Sequence, residues 1–351
     1  MGLEFLRNNG AHRMRDDAMR PLLLDNDTVQ GDEPQQDDEP QIELSYERPA
    51  DLWNPIDISG MVVAADWDFR PARFIDGKDL GRTVAWLQTE EGFPIPVRLS
   101  EIGAIVIHND AGHLRREWYI MERVVSMIVN PFPWDEIESF AAALQEKGFR
   151  LLQCQEPRGH LTYDFQEMRK ATQNRSMDEM MRLEKQALLQ SGDTPIVVDG
   201  RLESRTGGFD ELHTPVVGVI KGHQRNYLHP QGWRTYYDLR LGQRTPAFFL
   251  KQKNIDVVSW YLRLDGTASD LPSWGIIRLE IPAPFFHQQL GRDWSYINRL
   301  SRLICQYRCT DKSYQRASVS LYPIQRAEEC LGALFTGVET IINRFYSLTQ
   351  L

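Results

Sequence analysis

Two aspartates, Asp76 and Asp199, each close a short apolar run and each precede a glycine, in "PARFIDGKDLGR" and "TPIVVDGRLESR". A carboxylate at a rigid strand end is a hard oxygen donor for a divalent cation. Two such ions about 4 Å apart can generate a nucleophilic water and stabilise the leaving oxygen of a phosphodiester. Glycine beside the carboxylate lets a substrate phosphate approach the backbone. The same dipeptide is also a hairpin signal, so spacing alone leaves a turn and a metal ligand both open. "MMRLEKQALL" supplies a third carboxylate, Glu184, which either projects over a sheet or pairs on the helix surface with Arg182 or Lys185. Lys221 directly follows the apolar run "VVGVI", and "AADWDF" offers Asp66 and Asp68 as rivals to Asp76.

The elements that must hold these groups can be read from periodicity. Apolar stretches of strand length between residues 61 and 129, separated by glycine, proline and charge, predict several neighbouring strands, with "ARFIDG" ending one of them. "PWDEIESFAAALQEKGF" predicts a helix, with Pro133 before its first turn, Asp135 and Glu136 at its positive end and Gly148 as its stop. A second helical block covers residues 162–192, and four more strand candidates follow Asp199. "DWSYINRLSRLICQY" and "IQRAEECLGALFTGVETIINRFYSL" close the chain as helices, the last packing on its own core. Strands before, between and after helices predict one α/β domain around a mixed sheet over residues 51–351.

Residues 1–50 differ in kind. They hold 12 acidic against 5 basic residues, which accounts for most of the net charge of -9. Poor in aromatics and rich in Asp, Glu, Gln and Pro, they predict a largely disordered acidic tail with a short helix near residues 11–24. The tail either solvates the chain or mimics nucleic acid near a basic groove. Residues 215–260 carry Lys221, Arg225, Arg234, Arg240, Arg244, Lys251 and Lys253, interleaved with Tyr227, Trp233, Tyr236, Tyr237, Phe248, Phe249 and Trp260. That combination suits a single-stranded nucleic-acid channel, or an amphipathic sheet whose aromatics are core. No run reaches the ~20 apolar residues of a membrane span, and no secretory leader is evident, so a cytoplasmic location is expected. Gly2 lacks the Ser or Thr at position 6 that a myristoylation motif needs. Cys154, Cys305, Cys309 and Cys330 form no metal-ligand spacing and are expected as buried thiols.

Taken in order, "FIDGK", "RLEKQALL", "IVVDGRLES", "VVGVIKG", "WGIIRLEIP" and "LYPIQRAEECLGAL" resemble the NurA nuclease family over roughly residues 70–345. The resemblance implies an RNase H-like mixed sheet flanked by helices and two-metal, usually Mn2+-dependent, cleavage of DNA. It also implies a homodimer working with a HerA-type hexameric ATPase on DNA ends. Asp76, Glu184 and Asp199 then resemble the metal-binding acidic residues, and Tyr322 the tyrosine of the family's "YP" motif. Where the family often has a histidine, this chain has Glu328 and Glu329, and where it has serine after Asp-Gly this chain has Lys78. The expected site is therefore Asp76, Glu184 and Asp199 on Mn2+ or Mg2+, Lys221 on a phosphate, and Tyr322 and Glu328 completing it. The departures at Lys78 and Glu328 favour a second reading, a catalytically weakened DNA-binding adaptor docked on a translocase. A two-carboxylate glycosidase is a third reading, which the basic and aromatic segment fits poorly.

Overall fold

The computed structural model describes residues 2–14, 46–190, 194–203, 215–222, 227–252, 255–267 and 271–351. The expected free tail over 15–45, the helix stop at Gly192, and Arg225 and Lys253 lie outside the described residues.

Among the described residues, eleven strands form one mixed sheet. They are β1 (Ile56–Asp57), β2 (Arg73–Gln88), β3 (Pro94–Asp110), β4 (His113–Ile128), β5 (Arg150–Cys154), β6 (Ile196–Asp199), β7 (Val216–Ile220), β8 (Gln243–Arg244), β9 (Phe248–Leu250), β10 (Val257–Arg263) and β11 (Ile276–Pro282). The described helices are α1 (Phe5–Asn8), α2 (Trp134–Glu146), α3 (Phe165–Gln190), α4 (Pro230–Asp238), α5 (Ala283–Gln288), α6 (Trp294–Gln306), α7 (Tyr322–Leu334) and α8 (Val338–Thr349). None of them is long and apolar enough to cross a membrane.

At one end of the sheet, β2, β3 and β4 make a long antiparallel meander, with β5 parallel to β4 at the edge. On the other side of β2, β6 and β7 run parallel to it, and β11, β10, β8 and β1 continue antiparallel, with β9 also on β10. This is the mixed sheet flanked by helices that the sequence leads one to expect. Two stretches differ from expectation: residues 61–70, read as a strand from their apolar content, run as loop and turns, because charged residues and turns interrupt that content, and β2 is longer than expected. β2 does not end at the Asp-Gly pair but continues twelve residues past Asp76 to Gln88, because β3 pairs with it throughout.

Alternate residues of a strand face opposite sides, and two helices use this. Ile75 and Val198 pack with Ala187 and Leu188 of α3, while Phe74 and Val197 pack with Leu321 and, from α7, Ile324. Farther along, Leu183 of α3 meets Ile102 and Ala104, whereas Ala327 and Leu331 of α7 meet Ile105 and Ile107. Thus α3 and α7 grip the meander from opposite faces. The buried stripe of α3 is half polar, since Thr172, Ser176, Glu179 and Glu184 share it with Met168, Leu183, Ala187 and Leu188. Their partners are polar as well: Ser176 donates to Asp79 at 2.5 Å, and Arg150 pairs with Glu179 at 2.5 Å.

The expectation of a disordered segment over 1–50 is corrected at both of its ends. Residues 2–8 form a short helical turn against α2, and Phe5, Leu6 and Ala11 are buried with Phe132, Phe140 and Phe345. Apolar residues in an otherwise acidic segment gain enough burial to order it. Leu6→Ala is expected to cost about 2–5 kcal/mol, read as a lowered denaturant midpoint; a midpoint within error of wild type would mean that the N-terminus is not part of this core. At the other end Tyr46 bridges to Phe248, and Glu47 donates its N–H to the Ala247 carbonyl and reaches Arg244 with its carboxylate. The last helix behaves as expected, with Ile341, Ile342, Phe345 and Tyr346 of α8 in the same core as Leu6. All four cysteines are free thiols, three of them buried, and burial pushes the Cys305 thiol up to about 11.

Candidate functional site

Pairing between β2 and β6 stops at Ile75 opposite Val198, and β6 ends one residue later at Asp199. Among the described residues no strand lies beside β2 at Asp76 and Gly77 on this side, so the sheet opens a notch there. Asp76 pairs across β3 with Ile105 and therefore faces the α7 side, and Asp199, one residue past the α3-facing Val198, faces the same side. After Asp199 the chain turns on Gly200 at φ 114, whose N–H donates to Val219 at 2.8 Å. The Asp-Gly pair at 199–200 is thus both a turn and a placed carboxylate. At 76–77 it is no turn at all.

Gly77 has a different use. It faces α3, and a Cβ added there would stand 2.8 Å from Cδ and Oε1 of Glu184. Glu184 is buried against bare strand backbone, reaching the notch from the α3 side while Asp76 and Asp199 occupy the α7 side. Of its two sequence readings, the solvated surface pair is therefore excluded.

Glu328 arrives from α7. Its Oε2 accepts a hydrogen bond from the Tyr314 hydroxyl at 2.7 Å, and its Oε1 lies 3.9 Å from the Lys78 ammonium. Lys221, one residue beyond the fully buried β7, donates to Asp199 Oδ2 at 2.6 Å. Its side chain is 9% exposed against 20% for that of Asp199, so the ion pair lies in the wall of the notch.

The electrostatics of Asp76 tie these groups together. Burial pushes its carboxyl well above the usual carboxylate range; the charge of Asp199 pushes the same way, Lys221 opposes, and Glu184 and Glu328 add to the rise. Four elements, β2, α3, β6 and α7, have brought four carboxylates within mutual influence, with two lysines as counter-charges. Asp199 accepts from Lys221 as it stands, and Glu328 accepts from Tyr314 with the Lys78 ammonium 3.9 Å away. In keeping with this, no group of three His, Cys, Asp or Glu side chains among the described residues is already disposed around one ion position. The donor chemistry nevertheless fits a hard divalent cation: all oxygen, more acid than base, and partly desolvated. A cation bound at Asp199 would have to displace the Lys221 ammonium.

Other candidates fall outside the group. Asp66 and Asp68 lie exposed in the loop before β2 and are not among the charges acting on Asp76. Tyr322 is half exposed in the first turn of α7, roughly 240° around the helix from Glu328. Glu329 lies nearer the surface and pairs with Arg326. Among the channel residues, Tyr227, Tyr236, Phe248 and Trp260 are core, and Arg244 is fully buried on Glu47 and Asn298, so the expectation of basic groups tracking a backbone fails for it. Arg234, Arg240, Lys251 and Tyr237 are exposed. Tyr314 was invisible to sequence reasoning, because the loop "CTDKSYQRASVS" has neither period nor motif.

No family model matches the chain, and no curated protein does. Among solved structures the chain is similar to the NurA nuclease from Sulfolobus solfataricus, at 12% identity and a TM-score of 0.43, over 80% of this chain and 81% of that one.

Proposed function

We propose that this chain is a Mn2+- or Mg2+-dependent deoxyribonuclease, with Asp76, Glu184 and Asp199 as the ligands of two ions. The observation that carries the reading is the gathering of Asp76, Glu184, Asp199 and Glu328 at one notch in the sheet, with Lys221 and Lys78 beside them. When bound, the ions supply a nucleophilic water and neutralise charge on the leaving oxygen. The residues do the rest. Asp76, Glu184 and Asp199 would hold the cations, and Lys221, now on Asp199, would stand beside them to take a substrate phosphate. The exposed Arg234, Arg240, Lys251 and Tyr237 offer charge and a stacking face for a nucleic-acid strand. DNA-end processing in the cytoplasm, with a HerA-type hexameric ATPase and a second copy of the chain, belongs to the same proposal and rests on the ordered motifs.

Labelled single- and double-stranded DNA incubated with Mn2+, Mg2+ or EDTA tests the reading. Metal-dependent fragments are expected, and their absence with a HerA-type ATPase present would favour the second reading. That reading, a DNA-binding adaptor with a weakened centre, has one observation in its favour: protein donors already sit on Asp199 and Glu328. Mn2+ should raise the melting temperature of a nuclease and leave that of an adaptor unchanged.

The fit of Glu184 on Gly77 gives a sharper expectation. Gly77→Ala leaves β2 able to form but forces the Glu184 carboxylate away, and misplacement by about 1 Å can cost about 10²-fold in rate. Cleavage should drop by that order with little change in melting temperature. Undiminished cleavage would remove Glu184 from the site.

A further inference from the structure

Tyr314 stands on a loop that is built rather than loose. Cys309 N–H donates to the Ser320 carbonyl at 2.8 Å, and an isolated bridge joins Arg308 to Leu321, so the loop is closed at its base. Its interior is stapled to α7 by the buried Gln325, whose Oε1 accepts from Cys309 Sγ at 3.0 Å and whose Nε2 reaches Asp311 at 3.3 Å and Glu329 at 2.9 Å. Within it, Tyr314 N–H donates to the Asp311 carbonyl and the Tyr314 carbonyl accepts from Ala317, both at about 3 Å. The half-buried phenol is thereby aimed at Glu328, at 2.7 Å, and burial, that bond and the charges of Glu328 and Asp199 all raise its pKa. From the sheet side Lys78 approaches the other oxygen of Glu328 along the backbone of Gly332, where an added Cβ would stand 3.5 Å from the ammonium.

We infer that Tyr314 is a positioning residue of the proposed nuclease site, holding the Glu328 carboxylate toward Asp76 and Asp199 with Lys78 on its other side. A glutamate has three side-chain torsions and, on an exposed helix turn, would sample several rotamers. With the Tyr314 hydroxyl donating to one oxygen and the Lys78 ammonium 3.9 Å from the other, one orientation is favoured.

The inference rests on the nuclease reading, and a double-mutant cycle separates the two. Tyr314→Phe keeps the ring and the loop and removes only the donor. In the full-length chain it is expected to lower kcat about tenfold, with KM for DNA within about twofold. The Mn2+ concentration at half-maximal thermal shift should rise about tenfold, the lower end of the range for loss of a group that orients a metal-site residue. In a Glu328→Gln background the same substitution should change none of these by more than about twofold. Equal effects in both backgrounds would overturn the inference in favour of a loop-packing role, and no effect in the wild-type background would overturn it outright. A wild-type chain that neither responds to Mn2+ nor cuts DNA would overturn the nuclease reading, and this inference with it.

Discussion

Asp199→Asn should abolish metal-dependent cutting while leaving the melting temperature at or above that of wild type. Asparagine keeps the shape of the residue and an oxygen that can accept from Lys221, so the wall of the notch stays closed. What it removes is charge. No other charge pushes the Asp76 carboxyl upward as strongly as Asp199, so its loss relieves crowding among the four carboxylates. Groups held together against their own repulsion for function commonly stabilise a protein when they are removed. The loss in rate should be at least about 10²–10³-fold, as when one preorganised electrostatic partner of a transition state is deleted. The stabilisation by Mn2+ should vanish with it, because a bound ion stabilises only through its affinity for the folded state. Cutting at the wild-type rate would sink the assignment of Asp199. A large fall in melting temperature would mean that the Lys221–Asp199 pair is a structural bridge instead.

The strand-end positions of Asp199 and Lys221 were legible in the sequence because each borders a short apolar run of the kind that buried parallel strands show. Asp76 was legible as a chemical group but not as a position, since local pattern cannot say that β3 pairs with β2 well past the Asp-Gly. Glu184 could not be decided locally. The stripe that α3 buries is polar along half its length, so helical periodicity marks it only weakly, and the partners that make it buried, Asp79, Arg150 and the backbone of Gly77, lie about 30 or more residues away. The partnership of Tyr314 with Glu328 depends on how a loop folds back on α7, which no period encodes. At the N-terminus, acidic composition outweighed the few apolar residues, Phe5, Leu6 and Ala11, that tie residues 2–14 to the core. Composition averages over a window, whereas burial is decided residue by residue.

Arg244 carries the largest expected effect on stability, and for the reason that the sequence misjudged it. Read in its segment it is one of seven basic residues suited to a phosphate backbone; in the fold its side chain is fully buried and bidentate on Glu47, at 2.7 and 3.0 Å, with Asn298 on Nε at 2.8 Å. Glu47 in turn accepts from Ala247 N–H, so the pair fastens the segment at Tyr46 and Glu47 to β8 and β9. Arg244→Met fills much of the volume but leaves the Glu47 carboxylate buried without its cation, a change that typically costs about 3–5 kcal/mol. Most of that cost belongs to the stranded charge and not to the missing attraction itself. Adding Glu47→Gln, which still accepts from Ala247, should therefore restore more than half of the fall in denaturant midpoint seen in the single variant. If the double variant were as unstable as the sum of both singles, the pair would not be coupled and the argument would fail. The site should be indifferent to all of this, because β8 stands four strands from β6, roughly 19 Å across the sheet. Below its melting temperature Arg244→Met should bind DNA with the same salt dependence as wild type. A channel residue would instead lower the slope by about one counterion for each phosphate it no longer neutralises.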